Sequence, residues 1–272
     1  MVVQHNMQAA NTNRQLGITA SAQGKATEKL ASGYKINRAA DDAAGLSISE
    51  KMRSQIRGLD RASTNAADGI SVVQTAEGAL NEVHSMLQRM NELATQAAND
   101  TNTSVDRNAL KAELDELSSE INRISSSTQF NSMNLLDGTF TGKNLQVGAL
   151  SGQNIEINIS SLSASSLGVS TSELVITSFV SAGNTMKKVQ SAIDAVSIQR
   201  SKLGATQNRL EHTIANLDTT SENTSASESR IRDTDMAKQM VEYSKNNILV
   251  QAGQSMLAQA NQSTQGVLSL LQ

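Results

Sequence analysis

Apolar and small residues recur at alternating steps of three and four along the stretch from Asp41 to Asn99. This spacing is the a/d pattern of a helix that packs lengthwise against other helices. It predicts one helix from Gly45 to Ala98, about 80 Å long. Either Asp41 or Asp42 can cap its first turn, because a carboxylate accepts hydrogen bonds from free backbone N–H groups there. The positions that share the spacing are Leu59, Ala62, Ala66, Gly69, Val73, Ala76, Leu80, Val83, Leu87, Met90, Ala94 and Ala97.

Two further segments carry the same alternation. The first starts with a capping-box pattern at Thr103 and Asp106 and ends near Ser127. Its short connection to the long helix predicts an antiparallel neighbour. The second is interrupted by Arg200 and Gln207, polar residues that cost stability but fix register. The two seams are Leu110, Leu114, Leu117, Ile121 and Ile124, then Met186, Val189, Ile193, Val196, Arg200, Leu203, Gln207, Leu210, Ile214 and Leu217. Together the segments predict a mainly α fold, an elongated antiparallel helical bundle or coiled coil.

The region 129–180 has a different pattern. Residues 145–147 and 155–159 alternate between apolar and polar, which predicts a β-hairpin with a loop over 148–153. The Ser-rich residues 160–172 are interpreted as a surface loop. The alternative is a flexible linker without strands.

Both ends of the chain predict helices with thin apolar stripes. The N-terminal helix covers residues 1–33 and ends at Gly33, which suits a left-handed C-cap. Its stripe buries too little to offset the ordering cost, so we expect it to be disordered unless a partner covers it. The helix over 234–272 is its intramolecular complement, and pairing them would leave apolar surface for neighbouring subunits. The two stripes are Val3, Met7, Leu16, Ile18, Ala22, Ala26 and Leu30, then Leu249, Ala252, Met256, Ala260, Val267 and Leu271.

Composition narrows the functional class. The chain has no Pro, which suits uninterrupted helices, and no Cys, which excludes disulfides and thiolate metal sites. Aromatic residues are 2% and the net charge is −3, so neither base stacking nor a basic footprint suggests nucleic acid. No apolar run is long enough to span a membrane, and residues 1–14 lack the pattern of a secretory signal. On these facts alone the expectation is a cytoplasmic protein.

Residues with catalytic potential are isolated from one another. His5, His84 and His212 form no metal-spaced pair, and no nucleophile elbow, P-loop or dinucleotide fingerprint is present. The adjacent Asp41 and Asp42 are better interpreted as helix caps than as an acid–base pair. We therefore expect neither an enzyme nor a bound cofactor or metal.

Three motifs, in order along nearly the whole chain, resemble bacterial flagellin. Residues 28–53 read EKLASGYKINRAADDAAGLSISEKMR, similar to the family's signature after its first helix. Residues 129–138 read QFNSMNLLDG, similar to the motif after the second bundle helix. SRIRDTDMA at 229–237 continues through QANQ at 259–262 and VLSLLQ at 267–272, similar to the C-terminal signature. The short middle segment resembles a minimal flagellin without inserted surface domains.

The resemblance implies a domain organisation. It predicts an inner-tube domain from residues 1–33 and 234–272, an outer-tube domain from residues 45–221 with the hairpin region 129–180, and connectors at 34–44 and 222–233. It also implies termini that fold only on polymerisation into the filament, and partners at the filament cap and junction.

The resemblance further implies secretion. Flagellins leave the cell through the flagellar type III apparatus without a cleaved signal peptide, which revises the expected location to the extracellular flagellum. A secretion chaperone of the family grips the C-terminal helix. Assembly and chaperone binding are therefore expected at Leu249, Met256, Leu257, Val267, Leu268, Leu270 and Leu271.

A receptor surface is implied on the outer-tube helices, where the family is bound by Toll-like receptor 5 of animal hosts. The family motif aligns with residues 88–96 and with Glu113. Arg89, Leu93 and Gln96 are spaced by four and three, so they share one helix face. Leu93 lies outside the a/d seam and is expected to anchor the receptor. The alternative is that the charges are ordinary solvated groups and Leu93 belongs to a wider core.

The leading interpretation is a structural subunit of the flagellar filament, in which folding of the terminal helices is coupled to association. A hook–filament junction protein of the same fold is the first alternative, and it would polymerise poorly by itself. A helical adhesin, whose main role is binding, is the second.

Overall fold

The computed structural model describes residues 5–269, with side chains as far as Ser263. The elements in chain order are α1 Met7–Ser32, α2 Ala43–Ala97, α3 Ser104–Ser127, β1 Gln129–Phe130, β2 Met133–Asn134, β3 Lys143–Gln146, β4 Asn154–Ile157, α4 Phe179–Arg232 and α5 Met236–Ser269. They form two compact units, a terminal unit of Met1–Gln55 with Asn223–Gln272 and a central unit of Ile56–Glu222. The predicted mainly α fold with a small hairpin region is confirmed.

The core of the central unit is built on the seam of α2. Every predicted seam position from Leu59 to Ala97 is buried. Leu80, Leu87 and Met90 are 0% exposed. Since burying one such side chain contributes roughly 1.5–3 kcal/mol, this seam is a large part of the unit's stability.

α3 lies antiparallel to α2, as predicted. Arg89 on α2 pairs with Glu113 on α3 at 2.9 Å, and Arg107 at the start of α3 donates from Nε to the carbonyl of Ala97 at 3.1 Å. The predicted capping box is present, because Thr103 N donates to the Asp106 carboxylate at 2.9 Å and Asp106 N donates to Thr103 Oγ1 at 3.3 Å. The capping box therefore fixes where α3 begins.

The predicted register of α4 is wrong at alternate positions. The shared positions are buried as expected: Val189, Val196, Leu203, Leu210 and Leu217. Between them the buried residues are Thr185, Ala192 and Gln199, one position before the predicted Met186, Ile193 and Arg200, which are half-buried. Thr185 and Gln199 are buried because they donate to the carbonyls of Val175 at 2.8 Å and Asn158 at 3.0 Å. The spacing of apolar residues cannot predict such burial, because these two residues are polar.

The segment between α3 and α4 is folded onto the central core. The predicted hairpin is confirmed as β3 and β4, which pair antiparallel with Leu145 opposite Ile155. A second, unpredicted pair, β1 and β2, follows α3. Residues 160–172 have no regular secondary structure, as the predicted loop requires, but the loop does not lie wholly on the surface. Its serines are exposed or half-buried, but its apolar side chains are buried: Leu162, Ala164, Leu167 and Val169.

Two glycines of α2 let the hairpin approach closely. A Cβ at Gly69 would overlap Leu145 Cδ1. A Cβ at Gly58 would lie 2.8 Å from Ala149 Cβ, closer than carbon atoms pack without bonds. The hairpin region is therefore seated in notches that only glycine leaves open.

The terminal unit pairs α1 with α5 through seams that contain few large apolar residues. On α1 the inward positions are Ala9, Thr12, Leu16, Thr19, Gln23, Ala26 and Leu30. On α5 they are Gln239, Tyr243, Asn246, Val250, Gly253, Leu257 and Ala260. Both seams alternate steps of three and four, but they differ from the predicted stripes, since Met7, Ile18, Leu249 and Met256 are exposed.

The segment after α1 is irregular and held by helix caps, whereas the segment before α5 is largely helical. Gly33 ends α1 with φ 75°, the predicted left-handed cap. Asp42 Oδ1 accepts from Gly45 N at 2.9 Å and caps α2, while Asp41 caps the backbone N–H groups of Asn37 and Arg38. The predicted connector over 222–233 is helical almost throughout, because α4 continues to Arg232.

Candidate assembly and receptor-binding surfaces

Large apolar side chains on the terminal helices face solvent, and we call this set the terminal stripe. It consists of Met7 and Ile18 on α1, and Met236, Met240, Val241, Ile248, Leu249 and Met256 on α5. Their exposure ranges from 46% at Leu249 to 74% at Met7. Apolar groups of this size, exposed on both helices, offer surface that protein partners can cover.

The terminal stripe and the α1–α5 seam lie on different faces of the two helices. At 3.6 residues per turn, Met7 and Ile18 lie on the side of α1 opposite Leu16. Val241, Ile248 and Met256 share a face of α5 that is well removed from Val250 and Leu257. The pairing of α1 with α5 therefore leaves the large apolar side chains of the terminal stripe uncovered.

The predicted assembly residues fall into three groups. Leu249 and Met256 are exposed in the stripe, whereas Leu257 is half-buried in the seam with α1. Val267 and Leu268 lie in α5, but their side chains are outside the described part of the chain. Leu270 and Leu271 lie outside the described residues. The sequence analysis missed Met236, Met240, Val241 and Ile248. Val241 and Ile248 lie midway between two positions of the α5 seam, so a search along the a/d spacing does not find them.

A charged cluster lies on the central unit at the predicted receptor surface. Arg89 Nε donates to Glu113 Oε1 at 2.9 Å, and Arg89 Nη1 donates to Glu92 Oε2 at 3.1 Å. These two bonds raise the pKa of Arg89, and the bond accepted by Glu113 has the larger effect. The side chains of Arg89 and Glu113 are 51% and 45% exposed. The cluster can therefore exchange its internal ion pairs for bonds to a partner.

Leu93 does not have the predicted exposure. Its side chain is 1% exposed and belongs to the main core of the central unit. The reason is that α3 and the folded segment widen the buried face of α2 beyond a strict a/d seam. Gln96 is exposed, and its backbone carbonyl accepts from Asn102 Nδ2 at 2.5 Å. The accessible predicted residues are thus Arg89, Gln96 and Glu113.

Within residues 5–269, no group of His, Asp and Glu side chains is placed to hold a metal ion. His84 Nε2 contacts Gln88 Nε2 at 3.1 Å, and the other two histidines are exposed. Over the same part of the chain, no helix is long and apolar enough to cross a membrane.

Family models match both ends of the sequence. The bacterial flagellin N-terminal helical region matches residues 3–141, and the bacterial flagellin C-terminal helical region matches residues 186–271. The chain is 55% identical over 271 residues to a flagellin of Halalkalibacterium halodurans, covering 100% of both chains. It is 48% identical over 286 residues to the flagellar filament 31.3 kDa core protein of Treponema maltophilum, again covering 100% of both.

The fold is also similar to a solved structure. The crystal structure of Bacillus cereus flagellin matches with a TM-score of 0.51 and 31% sequence identity, over 57% of this chain and 88% of that chain. Because the full-length relative from Halalkalibacterium halodurans is equally short, the compact middle region is shared with another flagellin.

Proposed function

The chain belongs to the bacterial flagellin family, and from this premise we propose that it polymerises into the extracellular filament of the bacterial flagellum. The observation that carries the proposal is the terminal stripe. Its large apolar side chains lie on helices whose own pairing buries little. Contacts with neighbouring copies would bury those side chains.

The energetics support assembly through the terminal helices. Ordering each residue costs on the order of 1–2 kcal/mol in backbone entropy. Burial of a large apolar side chain returns roughly 1.5–3 kcal/mol. Among the described side chains, α1 and α5 bury only Ala26 and Gln239. Lateral and axial neighbours are therefore needed to hold these helices, and head-to-tail contacts that do not close into a ring produce a filament.

Seeded polymerisation tests the proposal. The purified full chain, added to short flagellar fragments, should extend them into filaments visible by electron microscopy. Ile248→Gln combined with Met256→Gln should raise the protein concentration needed for growth about tenfold or more. The physical reason is that two exposed apolar side chains, 65% and 57% exposed in the free chain, lose their burial energy.

Val105→Gln is the matched control. Val105 is 74% exposed on the central unit, so it receives the same type of change outside the terminal stripe. Normal growth of this control with impaired growth of the stripe variant supports the proposal. An intact chain that never extends seeds contradicts it and favours a hook–filament junction protein of the same fold.

We further propose that the chain is exported through the flagellar type III apparatus with its C-terminal helix masked by a secretion chaperone. The exposed Leu249 and Met256 support this, because bare apolar groups before export are an aggregation hazard. Val267, Leu268, Leu270 and Leu271 are assigned to the same role from the sequence. Removal of residues 234–272 should abolish chaperone binding in a calorimetric titration, and unchanged affinity would contradict the assignment.

We also propose that the released subunit is a ligand of host Toll-like receptor 5. Support comes from the exposed Arg89, Glu113 and Gln96, which offer charge and hydrogen-bonding groups on one surface. The buried Leu93 acts there only by supporting α2. The double variant Arg89→Ala, Glu113→Ala should lose most binding to the receptor ectodomain.

A second ion pair on α3 provides the matched control. Glu120 and Arg123 are 42% and 64% exposed and form a comparable pair within the same helix. Arg123→Ala with Glu120→Ala should leave receptor binding unchanged. Equal binding by both double variants and the unaltered chain would remove the Arg89 cluster from the receptor surface.

A further inference from the structure

Arg232, a partly buried residue at the end of α4, contacts Glu50 on α2 and Tyr34 in the segment that follows α1. We call the group of Tyr34, Glu50 and Arg232 the latch. Arg232 Nη1 donates to Glu50 Oε1 at 2.7 Å. The guanidinium carbon lies 4.8 Å from the centre of the Tyr34 ring, within the range of a cation–π contact. The Arg232 side chain is 14% exposed, so both contacts are shielded from solvent on one side.

Two backbone hydrogen bonds next to Arg232 join the segment after α1 to the segment after α4. Lys35 N donates to Arg232 O at 2.6 Å, and Thr234 N donates to Gly33 O at 3.0 Å. Tyr34 and Asp233 thereby form an isolated antiparallel bridge. The end of α1 and the start of α5 are thus tied together at the point where α4 ends.

Burial in the terminal unit is concentrated beside the latch. Among its described side chains and glycines the buried residues are Ala26, Ile36, Gly45, Ser49 and Gln239. Ala26 lies within the last two turns of α1, and Gln239 lies in the first turn of α5. Beyond them, toward the chain ends, no described residue of either helix is buried. At the far end, Asn6 Nδ2 donates to the Ala260 carbonyl at 3.0 Å, but every residue of α5 offers a backbone carbonyl, so this bond does not define one alignment. The buried contacts of the α1–α5 pair are therefore at one end.

The seam itself specifies register poorly. Its inward positions include Ala9, Thr12 and Thr19 on α1, and Asn246, Gly253 and Ala260 on α5. Thr12 and Thr19 occupy one heptad position of α1, and Asn246, Gly253 and Ala260 occupy one of α5. At these positions, sliding one helix by a heptad replaces contacts with similar ones. Register must then be set by a contact that does not repeat along the helices.

Resting on the proposed role as a filament subunit, we propose that Arg232 is a positioning residue that sets the register of α1 on α5 before neighbouring copies cover them. A latch at a single point defines where the heptads align. A slipped pair would present the terminal stripe of each subunit at the wrong height for its neighbours. The latch therefore links the geometry of one junction to assembly along both helices.

A disulfide across the seam measures this register directly. The chain has no Cys of its own. A Cβ at Gly253 would lie 3.9 Å from Leu16 Cβ. The two Cβ atoms of a disulfide are usually about 3.5–4.5 Å apart, so a disulfide fits here. Leu16→Cys with Gly253→Cys is therefore a sensor, located about 15 Å from Ala26 along α1. The sensor is oxidised in the soluble chain and in seeded filaments, and the cross-linked fraction is quantified by gel.

The latch is then altered in the sensor background. Arg232→Gln and Glu50→Gln should each lower the cross-linked fraction several-fold and raise the concentration needed for filament growth. Arg232→Lys keeps the charge but loses the planar group that stacks on Tyr34, so it should give an intermediate result. Arg230→Gln is the matched control, since Arg230 is exposed on the same helix and donates to Ser227.

The outcomes separate the latch from the proposed function. Filament growth by the sensor chain with equal cross-linking in all variants would overturn the latch while leaving the filament role intact. A sensor chain that cross-links but never extends seeds would contradict the filament role. If Arg232→Gln grows no filaments, its cross-linking in the soluble chain decides, and a fraction equal to that of Arg230→Gln overturns the inference.

Discussion

The central and terminal units use the same heptad spacing with opposite results. In the central unit the α2 seam carries Leu80, Leu87 and Met90, all 0% exposed. In the terminal unit the inward positions of α1 hold small or polar residues apart from Leu16 and Leu30, which are only half-buried. Spacing decides that helices pair, whereas the size of the side chains on the seam decides whether the pair is stable by itself.

A second difference lies in what covers the helices. The central helices are covered by the folded segment between α3 and α4, which contributes Leu162, Leu174 and Ile176 to the core. Among the described residues of the terminal unit, α1 and α5 have only each other and the short connectors. The proposed contacts with other copies should therefore stabilise the terminal helices more than the central unit.

Truncating one seam leucine in each unit tests this difference most strongly. Leu87→Ala should lower the free energy of unfolding by about 2–5 kcal/mol, because it leaves a cavity in a closed core. Leu257→Ala on the half-buried α5 seam should lower it by about 1 kcal/mol or less. Denaturant unfolding of the full chain, followed by circular dichroism, measures both.

Polymerisation should reverse the ranking of the two leucine variants when they are compared at equal folded concentration. Leu257→Ala should raise the concentration needed for seeded growth more than Leu87→Ala, since its seam is completed only in the filament. If Leu257→Ala destabilised the soluble chain as much as Leu87→Ala, the terminal pair would be self-sufficient and the comparison would fail.

Two glycine substitutions on α2 should change the free energy of unfolding of the central unit by smaller amounts and in opposite directions. Gly69→Ala should lower the free energy of unfolding by about 1–3 kcal/mol, because the new methyl group overlaps Leu145 of the hairpin. Gly78→Ala meets no atom within 4 Å and should raise it by up to about 1 kcal/mol through helix propensity. Thermal unfolding of the two variants should shift in opposite directions. Equal shifts would show that the hairpin does not seat on α2.

The sequence predicted the parts of the fold that follow local spacing. The bounds of α2 and α3, the Thr103 capping box and the β3–β4 hairpin depend on neighbouring residues in the chain. The register of α4 was wrong because Thr185 and Gln199 are buried by bonds to distant carbonyls. The burial of Leu162 and Val169 depends on the same tertiary packing, which a serine-rich composition conceals.

The surfaces were predicted less completely than the fold. Arg89 and Glu113 were named from the family resemblance, and the structure pairs them between α2 and α3. Leu93 was misplaced, because burial beyond the strict seam depends on a third element packing there. The latch at Arg232 left no local signal, since its partners Tyr34 and Glu50 lie far away in the sequence.

The smallest expected effect is the loss of stability at acid pH that arises from the capping box at the start of α3. Donation from the Thr103 side chain and backbone N–H lowers the pKa of Asp106 below its usual value. The stabilisation is therefore present above the ordinary Asp pKa and is lost as the pH falls through the lowered value. Asp106→Asn should flatten this part of the acid dependence of the unfolding midpoint, while Leu257→Ala in the terminal pair should leave it unchanged. A full acid response in Asp106→Asn would show that the α3 cap does not contribute, and that the stability of the central unit rests on its apolar seam alone.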